Sequence, residues 1–165
     1  MDFLKGTGVA IITPFKKNGE IDFNAYELLI DYYINNGINY LVILGTTGES
    51  HTISFEEKDK ILKCVVKFNK GRLPLIVGFG ANNTQKLVNE LSNFELKAFN
   101  AVLSVCPYYN KPSQVGLYEH FFHVSQASPI PLILYDVPSR TGVSISNEII
   151  FKLLEKCDNI IGIKD

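Results

Sequence analysis

Six short runs rich in β-branched residues recur along the chain: GVAIITP (8–14), YLVILG (40–45), LPLIVGF (73–79), AVLSVCP (101–107), PLILYDVP (131–138) and IIGIKD (160–165). Each is nearly continuous in apolar character rather than alternating, as strands covered on both faces are. The stretches between them carry helical spacing. In FNAYELLIDYYINNG the apolar Leu28, Leu29, Tyr32 and Tyr33 recur at helical intervals as the apolar stripe, and Gly37 offers a stop. Ser54 opens SFEEKDKILKCVVKF with Glu57 three positions on, the spacing of a capping box. Thr84, Ser113 and Ser146 are the expected openings of later helices.

The runs begin roughly thirty residues apart, room for one strand, one helix and their loops, so the repeating unit is the βα unit of a parallel sheet. A doubly wound sheet and a (β/α)8 barrel share this rhythm. The first would carry a glycine-rich phosphate loop after its first strand, or reverse its strand order early. Here the first run ends in ITPF, with neither GxGxxG nor GxxxxGK[ST]. Polar groups instead follow nearly every run: Thr13, GTTGES, Gly80 to Asn83, PYYN, YDVPSR and Lys164. Many strand ends feeding one site is the logic of a barrel. The expected fold is α/β, a (β/α)8 TIM barrel of which the first six strands and five helices are present, with strand neighbours in sequential order. A barrel needs eight of each over typically ~250 residues. Residues 1–165 are accordingly expected to be the N-terminal portion of a single catalytic barrel domain, ending after strand six.

Composition narrows the partners. Of the 165 residues 46% are apolar and 20% charged, a globular balance. Sixteen Lys and Arg against seventeen Asp and Glu leave a formal charge of -1, which offers no electrostatic case for nucleic acid. No apolar stretch approaches the ~20 residues that cross a bilayer, so no membrane role is expected. The opening MDFLKGTGVAIITPF carries an acid at position 2 and only a short apolar run, unlike a signal peptide. Cys64, Cys106 and Cys157 are scattered without CxxC spacing and read as reduced thiols of a cytosolic protein. His120 and His123 lie three apart, but no cysteine or acid array completes a metal-ligand set.

The chemistry is concentrated at the ends of runs. Lys164 closes an apolar run, where burying an ammonium is costly and a lowered pKa favours the neutral amine, the nucleophile of Schiff bases. The alternative is a strand that stops at Ile163 and leaves Lys164 solvated. Tyr135 in LILYDVPSR is a poor free base, yet beside an imine it can pass a proton in either direction; equally it could be a core aromatic with one hydrogen-bond partner. Arg140 presents a planar fork suited to a carboxylate, or a surface salt bridge. In GTTGES, Gly45 and Gly48 permit tight geometry, while Thr46 and Thr47 offer hydroxyls and adjacent amides that can hold a small carboxylate and relay a proton. That loop is too short and lysine-poor for a nucleotide. Tyr108 and Tyr109 of PYYNKPS could each enter a relay or a subunit contact. Together these are carboxylate-binding hydroxyls, a phenol, an arginine and a strand-end lysine, with no metal.

In the combination GTTGES, PYYNKPSQ, ILYDVPSRTG and IIGIK, the sequence resembles the 4-hydroxy-tetrahydrodipicolinate (dihydrodipicolinate) synthase family, pyruvate-dependent class I aldolases related to N-acetylneuraminate lyase. The resemblance runs through all 165 residues in order and stops where family members continue with two more barrel strands and a helical C-terminal region. It implies that Lys164 forms the Schiff base with pyruvate, that Tyr135 donates and accepts protons, and that Thr47 binds pyruvate. Thr46 and Tyr109 would complete the proton relay, the tyrosine reaching across a dimer interface. Arg140 would receive the carboxylate of L-aspartate 4-semialdehyde. The resemblance also implies no cofactor, a homo-oligomer (dimer or tetramer), a cytoplasmic location and a role in lysine and diaminopimelate biosynthesis.

PYYN and VPSR favour the dipicolinate branch over sialic-acid lyases, which tend to differ at both places. Another pyruvate-dependent lyase of this fold is the nearest alternative reading, and a non-catalytic barrel-derived fragment the next. Some positions depart from the family pattern. Asp136 stands where Asn is frequent, and Asp165 follows the lysine where Glu is common. Lys58 and Lys86 replace the His and Glu of lysine-inhibited forms, although Asn82 and Tyr108 remain, so weak or absent inhibition by L-lysine is expected.

Overall fold

The computed structural model describes residues 2–165. Its parallel strands are ordered β1-β2-β3-β4-β5-β6, the sequential order of a barrel rather than the reversal of a doubly wound sheet. They span Gly8–Ala10, Tyr40–Ile43, Leu75–Gly78, Ala101–Val105, Leu132–Tyr135 and Ile160–Lys164. Helices α1 to α6 span Phe23–Asn35, Phe55–Asn69, Thr84–Asn93, Gln114–Ala127, Pro138–Thr141 and Asn147–Leu154. The chain divides into two compact units. No helix among the described residues is long and apolar enough to cross a membrane.

The first unit runs to Gly78 and includes Ala98–Asn100. Here β2 pairs with β1 and with β3, setting Val9 opposite Leu41 and Ile43 opposite Val77, and α1 packs on α2. The capping box of α2 is formed: Ser54 accepts the Glu57 N–H, and the Glu57 carboxylate accepts the Ser54 N–H. Helix α1 corrects the expected stripe. Its buried residues are Tyr26 and Ile30, whereas Leu28 and Tyr32 are 72% and 61% exposed. The segment is apolar around most of its girth, so spacing alone does not choose a face. A tertiary contact does: the Tyr26 hydroxyl lies 3.0 Å from the buried Thr13 hydroxyl. Gly37, the expected stop, follows the helix with φ +78°.

The second unit comprises Phe79–Lys97 and Ala101–Asp165. Here β5 pairs with β4 and with β6, and all four β5 side chains are buried, as a strand covered on both faces requires. Helix α4 packs against α3 and α6. Ser113 and Ser146 cap α4 and α6. Thr84 does not cap α3. Asn83, in extended backbone one residue earlier, accepts the Lys86 N–H, and Thr84 instead places its hydroxyl 2.8 Å from His120 Nδ1. His120 is buried, whereas His123 is exposed beside Glu119 at 3.7 Å, so the two histidines have separate partners. The unexpected α-helix among the described residues is the four-residue α5, and a 3-10 turn at Asp2–Leu4 was not expected either; the other five α-helices have eight residues or more.

Candidate active site

In the second unit the last residues of β5 and β6 stand side by side. Tyr135 pairs with Lys164, and the Lys164 Nζ lies 4.2 Å from the centre of the Tyr135 ring. This register is made by an irregularity. Leu132 pairs with Ile160 but Ile133 pairs with Gly162, so β6 carries one extra residue. Without it Ile163 would lie opposite Tyr135. A slip of one residue exchanges the two faces of a strand, so the bulge brings the amine, not the branched alkyl side chain of Ile163, to the phenol. The ladder continues past the pair, with the Asp136 N–H donating to the Lys164 carbonyl at 2.9 Å and the Cys106 N–H to the Tyr135 carbonyl at 3.0 Å.

The burial expected of Lys164 is not found. Tyr135 is 9% exposed, but Lys164 is exposed, because β6 has a single strand neighbour among the described residues. The lysine is nevertheless not simply solvated: the negative face of the tyrosine ring holds a cation at that distance.

Arg140 follows on α5, a single helical turn with Pro138 at its first position, Gly142 in left-handed conformation after it, and the Gly142 N–H donating to the Pro138 carbonyl at 2.9 Å. Its guanidinium is exposed. The alternative reading of Arg140, a surface salt bridge, is not seen: no carboxylate among the described residues pairs with it. The turn is tied back by Asp136, which is buried. Its Oδ2 accepts the Ser144 hydroxyl at 2.6 Å and the Ile145 N–H at 3.1 Å, and its Oδ1 faces the Cys106 thiol at 3.6 Å. Burial first, then the Asp136 charge and hydrogen bond, push that thiol up to about 12.

Tyr109, after β4, is 88% exposed and holds φ +72°, a left-handed conformation rare for a bulky residue. Neighbouring Asn110 donates from Nδ2 to the Asn82 carbonyl at 3.1 Å. Burial, with Glu90 a smaller cause, raises the Tyr108 phenol above its ordinary value.

In the first unit, Thr46 and Thr47 sit on the turn that follows β2. The Gly48 N–H donates to the Gly45 carbonyl and the Glu49 N–H to the Thr46 carbonyl, at 3.0 and 3.1 Å. Leu44 and Glu49 on either side take φ +56° and +55°, strain of the kind that collects at functional turns. The turn is braced from β1: the Thr13 hydroxyl donates to the Gly48 carbonyl at 2.6 Å, and the Tyr26 hydroxyl donates to Thr13. Burial drives the Tyr26 phenol up to about 12, keeping it a neutral donor. Thr46 is half-buried and Thr47 exposed.

Sequence reasoning thus named the side chains at the strand ends but missed the braces behind them. Thr13 was visible only as a polar residue after a run, and Asp136 only as a departure from Asn. The β6 bulge had one local cue, the lone Gly162 inside an apolar run, since a glycine within a strand often marks a bulge.

Parallel strands in chain order, joined by helices and carrying hydroxyls, an arginine and a lysine after their carboxyl ends, define the class: a (β/α)8 barrel, of which six strands are described. Within that class the match is specific. The model of the dihydrodipicolinate synthetase family matches residues 3–165, and the chain belongs to this family. The 4-hydroxy-tetrahydrodipicolinate synthase of Flavobacterium psychrophilum is 51% identical over 160 residues, covering 97% of this chain and 55% of that protein. The crystal structure of dihydrodipicolinate synthase from Aquifex aeolicus superposes with a TM-score of 0.91 at 45% identity, over 97% of this chain and 54% of that one. The chloride-inhibited Acinetobacter baumannii enzyme, complexed with pyruvate, does so with a TM-score of 0.89 at 43% identity, over 97% and 55%. The chain spans about half the length of the curated relatives it matches.

Proposed function

We propose that this chain carries the catalytic residues of a lyase that condenses pyruvate with L-aspartate 4-semialdehyde to 4-hydroxy-tetrahydrodipicolinate, in lysine and diaminopimelate biosynthesis. The observation that carries the reading is the Lys164 amine 4.2 Å over the Tyr135 ring at the paired ends of β5 and β6. The Lys164 amine attacks the keto carbon of pyruvate, water leaves, and the resulting cationic imine acidifies the methyl group. Loss of a methyl proton gives an enamine whose carbon bonds to the aldehyde carbon of the second substrate. The amine of that substrate then closes on the imine carbon and releases the lysine. A phenol beside the imine is suited to carry these protons, and the ring face that holds the ammonium also favours the iminium.

In this reading Thr47 and its neighbouring amides hold the pyruvate carboxylate, Thr46 and Tyr135 serve the proton relay, and the Arg140 fork receives the carboxylate of the aldehyde substrate. Tyr109, 88% exposed, is available to the relay of a neighbouring subunit, which makes a homo-oligomer the working form. The pyruvate complex of the A. baumannii relative supports the choice of donor. A cytoplasmic location belongs to the same reading, and all three cysteines are free thiols. No step calls for a cofactor.

The test is borohydride reduction of the full chain with pyruvate. One pyruvyl adduct is expected on Lys164, and none in Lys164→Ala. Tyr135→Phe should keep trapping while turnover falls about a hundredfold or more. An adduct elsewhere, or undiminished turnover in Tyr135→Phe, would overturn the assignment.

A further inference from the structure

Asp136 touches both the lysine strand and the arginine turn. Its main-chain N–H donates to the Lys164 carbonyl at 2.9 Å, while its side chain takes the Ser144 hydroxyl and the Ile145 N–H. The segment from Val137 to Ser144, which contains Arg140, is therefore a loop whose two ends are fastened to a single residue adjacent to Tyr135. A second side chain grips the same far end. Gln114, at the start of α4, donates to the Ser144 carbonyl at 2.8 Å and accepts the Ser146 N–H at 2.9 Å. Within the loop, the buried Thr141 hydroxyl bonds the Val143 carbonyl at 2.8 Å. The groups facing Asp136 are all donors: a hydroxyl, an amide and a thiol. A carboxylate, which accepts at both oxygens, satisfies all of them.

We propose that Asp136 is a positioning residue that sets the Arg140 guanidinium relative to the Tyr135–Lys164 pair, and so governs affinity for the carboxylate-bearing acceptor without governing imine formation. The inference rests on the function proposed above for the role of Arg140. Its chemistry follows from the fastening. Lys164 and Tyr135 are held by the β5–β6 ladder and keep their geometry if the carboxylate is removed. Arg140 is held by the loop rather than by the ladder, and Asp136 is the buried side chain that, with Gln114, closes it. Misplacing a binding group by an ångström is enough to lose most of its contribution. An amide can substitute: Asn would keep one oxygen on Ser144 and Ile145 and turn its NH2 toward the Cys106 sulfur.

The experiment uses the full chain and four proteins: wild type, Asp136→Ala, Asp136→Asn and Ser144→Ala. In Asp136→Ala the KM for L-aspartate 4-semialdehyde should rise about tenfold or more, while the KM for pyruvate and its borohydride trapping on Lys164 stay within about twofold. Ser144→Ala, which deletes one exposed donor, should raise the acceptor KM about threefold and folds even if Asp136→Ala does not. Asp136→Asn should recover acceptor KM to within about threefold of wild type. An acceptor KM unchanged in both alanine variants, or pyruvate trapping that falls in step with it, would overturn the inference. Wild-type protein that traps no pyruvate and condenses nothing would overturn the proposed function, and this inference with it.

Discussion

His120 shows how one side chain can make the fold sensitive to pH. It is 2% exposed on α4, its Nδ1 meets the Thr84 hydroxyl, and its Nε2 has no hydrogen-bond partner among the described residues. Burial pulls the ring down from 6.5 to about 4, so the folded protein keeps it neutral where an unfolded chain would protonate it. The contribution to stability is complete above pH 6.5 and is lost as pH falls from there to about 4, where folded and unfolded forms bind the proton alike. Over the whole window the loss amounts to about 3 kcal/mol. Urea midpoints measured from pH 7.5 to 4.5 should therefore fall more steeply in wild type than in His120→Gln. Glu20, Glu57 and Glu148, whose carboxyls are lowered by hydrogen bonds and neighbouring lysines or backbone, act equally in both proteins and cancel. Parallel curves would show that His120 is not the group responsible.

At the scale of elements, the end of β3 and the turn after β2 constrain one another. A Cβ on Gly78 would lie 2.2 Å from the Leu44 carbonyl oxygen, and Leu44 itself holds φ +56°. The close approach is backbone to backbone, so no side chain can move aside. Gly78→Ala should cost about 1–3 kcal/mol by forced displacement, read as a lowered thermal midpoint with unchanged far-UV circular dichroism. Because the displaced turn carries Thr46 and Thr47, the KM for pyruvate should rise as well. Unaltered stability would mean that the turn has slack the geometry does not suggest. Features of this kind decide what was readable beforehand. The strands, the Ser54–Glu57 box and the caps at Ser113 and Ser146 were legible because each is a local pattern with a local cause. The buried face of α1, the Asn83 cap and the α5 turn were not, since each is chosen by a partner distant in sequence or is too short to show a period; for the extra residue in β6 the lone Gly162 is a cue that does not by itself fix the register. The site divides the same way. Tyr135 and Lys164 could be named as chemistry-bearing residues, but their adjacency depends on that bulge, and Asp136 gains its meaning only from Ser144 and Ile145.

At the scale of the whole molecule, some of the exposed apolar side chains are scattered singly, but others fall in stripes. In the first unit Leu28 and Tyr32, one helical turn apart on α1, are 72% and 61% exposed. In the second, Phe151 and Leu154 on α6 are 64% and 44% exposed, and Ile163 near the end of β6 is 43% exposed. Single exposed apolar residues are ordinary, but neighbours at helical spacing form a continuous face that water solvates poorly. Among the described residues the strand that carries Ile163 has β5 as its single strand neighbour, and such an edge is a template for further pairing. Opposing these attractions is a formal charge of only -1, so long-range repulsion between copies is weak. The expected outcome is that the 165-residue chain self-associates. Light scattering over a concentration series should give a mass above the 18.5 kDa monomer that rises with concentration. Leu28→Glu with Phe151→Lys should shift the population toward monomer without changing the circular dichroism, because both side chains already face solvent and neither carries the core. A wild-type chain that stays monomeric at every concentration would mean that these faces are too small to drive association.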